Sequence, residues 1–251
     1  MQNNPLKYVD PSGHIACELV GECNSDEAST SSPDSENDIP VPDKEEWDRA
    51  DWEAAGVIFD VASGLKAEYI DQIINALNMV KNVLGSRTLS ALGLVNGGSL
   101  KFIFIGDGRA NAPGWEGEVR LGIKVFTATP EHIVHELGHI VDYNAGPGGI
   151  NNLYTTSSGC SKDVCKSSHN VWRWNTGWEK DSDGNFLYTG DPLAASTGYG
   201  LDNPGLGPAE DFAETFTWYI YTQNGQKAPP GYREPSAGRI DALKTIISHF
   251  P

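Results

Sequence analysis

The strongest constraint on the fold of this 251-residue chain comes from residues 129–146, TPEHIVHELGHIVDYNAG. The apolar residues of this segment recur at helical spacing and predict an amphipathic helix with one buried face. Thr129 suits the N-cap, and Gly146 suits the position just past the last turn. Any fold that buries the apolar face must also place His135 and His139 side by side, because residues four apart share one surface of a helix.

The same segment carries residues suited to metal chemistry. Two imidazoles at this spacing supply half of a tetrahedral zinc shell, and Glu136 lies where a general base could take a proton from a zinc-bound water. Gly138 costs a helix about 1 kcal/mol and predicts a close approach by another backbone or by a substrate. The alternative is an ordinary amphipathic helix with polar-face histidines and a buried stripe of Ile133, Val134, Leu137, Ile140 and Val141.

A third ligand separates these two interpretations, and residues 208–220, PAEDFAETFTWYI, provide a candidate. Glu210 and Glu214 are again four residues apart on a predicted helix, among aromatic neighbours that indicate burial. One glutamate can complete the zinc shell, while the other can hydrogen-bond a ligand histidine and fix its tautomer. The alternative is a solvated acidic helix face.

The segments HELGHIVDYNAG, TGYG and AEDFAETF, in that order, resemble the catalytic domain of anthrax lethal factor and related toxin peptidases of the gluzincin class. The resemblance spans residues 119–220 and implies a zincin-like fold, Zn²⁺ as cofactor and a polypeptide substrate. It implies that His135, His139 and Glu210 bind zinc and that Glu136 is the general base. It also implies that the Tyr199 phenol hydrogen-bonds the developing oxyanion or the leaving group. Glu214 and Asp142 are the carboxylates that would orient the ligands. The gap from Tyr199 to Glu210 is longer than in that family, so Tyr199 is the least supported of these assignments.

Residues 117–126, GEVRLGIKVF, alternate apolar and polar side chains and predict a strand just before the metal helix. Its apolar face comprises Val119, Leu121, Ile123 and Val125. The resemblance implies that an extended peptide substrate adds to the edge of this strand by main-chain pairing. The expected substrate-binding residues are Val119, Arg120, Leu121 and Gly122.

Residues 3–14, NNPLKYVDPSGH, resemble the end of the core domain associated with RHS (YD-type) repeats. The matching residues are Asn4, Pro5, Leu6, Tyr8, Asp10, Pro11 and Gly13. The resemblance implies that the following residues are a variable C-terminal effector, secreted or delivered into a target cell as part of a larger protein, with a cognate immunity protein as a possible partner. The alternative is that DPSG is an ordinary turn.

Three regions are expected along the chain: residues 1–14 as the tail of that core, 15–50 as a flexible linker, and 51–251 as the folded domain. The linker is rich in Ser, Asp and Glu and lacks the apolar residues needed to offset its ordering entropy. In the folded part, helices are predicted at 64–84, 208–223 and 236–250, a strand at 100–106, and a loop-rich insertion at 147–207. Helices with a few strands between them predict an α+β fold.

Composition excludes several partners. The net charge of −16 opposes binding to nucleic acid or to an anionic membrane surface, and no apolar run has the length of a membrane span. The four cysteines form two local pairs, Cys17 with Cys23 and Cys160 with Cys165, and either could be a loop disulfide or two free thiols. Their spacing does not predict a cysteine-based metal site.

The sequence therefore predicts a zinc-dependent endopeptidase, and two alternatives stay open. The first is a zinc hydrolase of a non-peptide amide or ester, which the same catalytic atoms permit. The second is a non-catalytic interaction module whose helix pair is structural. Glu136 beside both histidines argues against the second, because a structural zinc site needs no base and fills all four coordination positions with protein ligands.

Overall fold

The described residues from Trp47 to Pro251 contain helices and a small parallel sheet and belong to one compact unit, in agreement with the predicted α+β class. The structure, a computed structural model, describes residues 46–106, 110–112, 117–127, 131–145, 176–180, 182, 186–197, 201, 207–248 and 250–251. The RHS-like segment, nearly all of the predicted linker, the four cysteines and Tyr199 lie outside these residues.

The strands form two sheets. The first is parallel, with order β1 (Val57–Asp60), β2 (Leu100–Phe104) and β3 (Glu118–Leu121). In its register, Phe102 of β2 lies opposite Phe59 of β1 and Val119 of β3. The second is an antiparallel hairpin of β4 (Trp178–Lys180) and β5 (Phe186–Tyr188). This hairpin corrects part of the expected loop-rich insertion at 147–207. Each of its strands has only three residues, which are too few to show the alternation of apolar and polar side chains that predicts a strand.

Seven α-helices lie within the described residues: α1 (Arg49–Ala54), α2 (Ala67–Leu84), α3 (Thr88–Ala91), α4 (Ile123–Thr127), α5 (Glu131–Asn144), α6 (Gly207–Gln223) and α7 (Ala237–Ser248). The predicted helices at 64–84, 208–223 and 236–250 are confirmed as α2, α6 and α7. Short 3₁₀ turns occupy Val61–Ser63, Gly85–Arg87 and Pro192–Ala194. No helix in this described part is long and apolar enough to cross a membrane.

The folded region begins earlier than residue 51, inside the predicted linker. Asp48 caps α1 through a reciprocal pair of hydrogen bonds with Asp51, which satisfies backbone donors at the helix start. Trp52 of this helix is fully buried, and its indole Nε1 donates to Asn78 of α2 at 3.1 Å. The capping box and the buried tryptophan together fix α1 against the core.

The strand predicted at 117–126 is wrong in its second half. β3 ends at Leu121, and residues 123–127 form α4. The Ile123 N–H donates to the carbonyl of Gly106 at 2.7 Å, and the Val125 N–H donates to Gly122 at 3.1 Å. Because β2 ends at Phe104, two residues before Gly106, it offers these residues no further strand to pair with, and the chain turns into a helix. An alternation over so few residues fits a short helix as well as a strand.

Helix α5 packs along α6 in the core, and Gly138 makes this contact possible. A Cβ at position 138 would lie 3.0 Å from the Cα of Ala213 and 3.2 Å from Cδ1 of Phe216. Both distances are shorter than ordinary van der Waals contact, so the predicted close approach is confirmed, and the approaching group is the α6 backbone. The small residue thus allows the two helices to bring their polar side chains together.

Candidate metal centre

Side chains from α5 and α6 converge at one point. The Nε2 atoms of His135 and His139 lie 3.2 Å apart, with the two rings nearly perpendicular at 85°. Oε2 of Glu210, from the start of α6, lies 3.1 Å from Nε2 of His135 and 3.5 Å from Nε2 of His139. The histidines are 16% exposed and Glu210 is 12% exposed, so the cluster is sheltered but reachable from solvent.

These three side chains form a possible metal-binding triad, and the described part of the chain holds one such group. A tetrahedral zinc about 2.0–2.1 Å from each ligand places neighbouring ligand atoms roughly 3.3 Å apart. The observed separations of 3.1, 3.2 and 3.5 Å bracket that value. Two imidazole nitrogens and one carboxylate oxygen also form a donor set that zinc favours, so the residues present fit this metal.

The three side chains of the triad shift one another's pKa values. Burial raises the pKa of Glu210, but hydrogen bonds from His135 and His139 outweigh it and hold that pKa well below its usual range. Burial lowers the pKa of His139, but the hydrogen bond to Glu210 and the charges of Glu210, Glu136 and Asp142 raise it to about 9. In the metal-free protein His139 therefore carries a proton at neutral pH, where a metal would need the neutral imidazole.

Zinc binding is accordingly expected to release about one proton per chain at pH 7.5, because His139 is protonated below pH about 9 and must be neutral to bind metal. The apparent zinc affinity should rise about tenfold per pH unit from pH 7 to 9 and then level off, since deprotonation is complete above that pKa. Isothermal titration calorimetry in buffers of different ionisation enthalpy measures the released protons. Zinc binding without proton release would contradict the assigned state of His139.

Glu136 occupies the position expected of a base. It is 6% exposed, and its Oε2 has no hydrogen-bond partner among the described residues. Burial raises its pKa, while the charges of His139 and His135 act in the opposite direction. The backbone N–H of Ala112 also donates to this carboxylate. A buried carboxylate with a raised pKa and one unused oxygen, beside both histidines, suits proton transfer to and from a ligand in the centre.

The backbone near Glu136 comes from a segment that sequence patterns did not identify. Asn111 forms an antiparallel bridge with Arg120 on the outer edge of β3, with N–H···O distances of 2.9 and 2.8 Å. The outward main-chain groups of Arg120 are therefore already paired. The side chains of Val119 and Leu121 are fully buried, and the Gly122 carbonyl accepts from Val125. Because the bridge between Asn111 and Arg120 uses backbone atoms, the side chains of residues 110–112 (Ala-Asn-Ala) do not predict it.

The remaining predicted carboxylates are both buried near the centre. Glu214, one turn beyond Glu210, is 3% exposed and accepts a hydrogen bond from the hydroxyl of Thr197. Asp142 is 5% exposed, and its charge contributes to the raised pKa of His139. Tyr199 lies outside the described residues, two positions after Thr197.

No protein-family model matches this chain, and comparison with curated proteins and with solved structures gives no match either.

Proposed function

We propose that this protein is a zinc-dependent endopeptidase of zincin-like fold. Its metal would be held by His135, His139 and Glu210, and its general base would be Glu136. One observation carries the proposal. The three ligand atoms lie as far apart as the ligands of a tetrahedral zinc ion would, and they lie beside the buried carboxylate of Glu136, whose Oε2 has no hydrogen-bond partner among the described residues. A structural metal site has no need for such a base, so this pairing supports catalysis over a purely structural helix pair.

When bound by His135, His139 and Glu210, a zinc ion would supply Lewis-acid polarisation of a carbonyl and would make a water more acidic. Oε2 of Glu136 would take the proton from the attacking water and pass it to the leaving amine. The Ala112 N–H holds the other side of this carboxylate in place. Tyr199 is proposed to stabilise the developing charge of the tetrahedral state.

An extended polypeptide is the proposed substrate. The main-chain groups of Asn111 pair with Arg120 of β3, so those of Ala110 and Ala112 face away from β3. The Ala112 N–H accordingly donates to Glu136. A peptide adding by main-chain pairing would therefore lie beside residues 110–112 rather than along residues 119–122, and would use main-chain groups other than the Ala112 N–H, which donates to Glu136. The net charge of −16 favours a polypeptide over nucleic acid as the substrate class.

We further propose that the peptidase is an effector secreted or delivered into a target cell as part of a larger RHS-type protein. The resemblance of residues 3–14 to the end of an RHS core supports this setting. An active peptidase in the producing cell would be harmful to it, so a cognate immunity protein is the proposed partner.

The proposal is tested by incubating the zinc-loaded full chain with a proteome-derived peptide library and identifying new termini by mass spectrometry. Cleavage by the zinc-loaded protein, lost after chelation and regained with zinc, is the expected result. A protein that holds stoichiometric zinc but cleaves no peptide would overturn the peptidase assignment. Hydrolysis of model amides or esters by that same sample would then identify the other zinc-hydrolase class.

A further inference from the structure

A buried ion pair lies directly beside the ligand Glu210. Asp211 is fully buried and Arg239 of α7 is 1% exposed. The Arg239 Nε donates to Oδ1 of Asp211 at 3.0 Å, and its Nη2 donates to Oδ2 at 3.1 Å. The indole Nε1 of Trp178, from β4, donates to the same Oδ2 at 2.9 Å. One carboxylate therefore joins the hairpin, α6 and α7.

The second strand of the hairpin belongs to the same network. The Arg239 Nη2 also donates to the hydroxyl of Tyr188 at 3.1 Å, and the guanidinium lies over the Tyr188 ring, 5.4 Å from its centroid. The Tyr188 hydroxyl in turn donates to the carbonyl of Asp191 at 2.7 Å. Both charges are thus hydrogen-bonded in the interior, as a buried pair requires.

Stability alone does not account for this arrangement. Removing two charges from water is costly, and apolar residues of similar volume often stabilise a fold as well or better. What a network with directional hydrogen bonds adds is a fixed orientation. Asp211 is the fifth residue of α6 and directly follows the first turn, whose backbone N–H groups have no partner within the helix and which is most prone to fray.

Fixing Asp211 also fixes its neighbour in the helix. Side chains at successive helical positions differ by about 100° around the axis, so the direction of Glu210 follows from that of Asp211. Oε2 of Glu210 must stay within 3.5 Å of both histidine nitrogens for the three atoms to share one metal. A small rotation of this turn would move the oxygen away from α5.

We propose that Trp178, Asp211 and Arg239 form a positioning network that holds Glu210 against the two histidines and thereby sets the zinc affinity of the centre. The inference rests on the proposed zinc site. It gives the hairpin a role in metal binding, although none of its residues is a ligand.

A matched pair of variants tests this role. Asp211→Ala would leave Arg239 buried without its partner and would unfold part of the chain, so Trp178→Phe is the better variant. Its control is Trp52→Phe, because Trp52 is also a buried tryptophan that donates one indole hydrogen bond, to Asn78 at 3.1 Å, far along the chain from α6. Each substitution removes one donor and keeps an aromatic ring.

Zinc dissociation constants are measured by chelator competition at a temperature where the wild type and both variants are folded. Trp178→Phe is expected to weaken zinc binding about tenfold, a size typical for residues that orient ligands, and Trp52→Phe to change it less than twofold. The visible spectrum of the cobalt-substituted protein should change in Trp178→Phe alone, because it reports the ligand geometry rather than stability.

Each outcome decides between the claims. If both variants keep the zinc affinity and the cobalt spectrum of the wild type, the positioning role is overturned and the zinc site stays intact. A wild type that binds no zinc would overturn both the site and this inference. An equal loss of affinity in both variants would show that the effect comes from general destabilisation, and the inference would be wrong.

Discussion

Replacing Glu136 with glutamine is expected to lower peptide cleavage at least about a thousandfold while leaving zinc bound, because general acid–base catalysis contributes up to about 10⁴-fold. Glutamine has nearly the same shape and keeps an oxygen that can accept the Ala112 N–H. It cannot take up a proton, so the attacking water loses its base. Cleavage rates on a peptide selected from the library, with zinc content measured on the same samples, give the result.

The control for this variant is Glu131→Gln. Glu131 is a second buried glutamate of α5, 5% exposed and one turn before His135. The same chemical change there should leave cleavage within a few-fold of wild type, because Glu131 is neither part of the triad nor one of the carboxylates whose charges raise the pKa of His139. A Glu136→Gln protein that keeps its zinc and cleaves within tenfold of wild type would remove Glu136 from the mechanism.

Replacing Glu210 with alanine is expected to weaken zinc binding by more than about a hundredfold, since it removes one of three protein ligands, whereas losing a ligand-orienting group costs about 10–100-fold. Glu214→Ala makes the same change one turn further along α6 and provides the matched comparison. Glu214 hydrogen-bonds Thr197, so its loss should weaken zinc binding less. Chelator competition measures both dissociation constants. A larger loss in Glu214→Ala would mean that the two glutamates exchange roles.

The histidine pair and the glutamate helix could be predicted from sequence because each obeys a local rule, whereas the choice of Glu210 over Glu214 rested on the family resemblance. His135 and His139 share a face of one amphipathic helix, and Glu210 lies at the start of another with buried aromatic neighbours. Two helices with apolar faces must pack against something, and Gly138 marks where one of them can be approached closely. The contact of α5 with α6 agrees with the close approach predicted at Gly138, although the sequence left open whether another backbone or a substrate would make it.

Features that depend on distant partners could not be predicted in this way. The end of β3 is set by where β2 ends, so GEVRLGIKVF fits a longer strand until its neighbour is known. The contact of Ala112 with Glu136 uses a backbone N–H that any residue except proline could offer. Trp178, Asp211 and Arg239 lie on three elements far apart in the chain, and no spacing rule joins them.

His135, His139 and Glu210 are proposed to hold a catalytic zinc ion. X-ray absorption at the zinc edge, on the full chain loaded with one equivalent of zinc, tests this claim most directly. The expected spectrum shows two imidazole nitrogens and further oxygen ligands at about 2.0 Å, in four-coordinate geometry. A zinc ion bound through cysteine sulfur, or surrounded by oxygen alone, would contradict the claim.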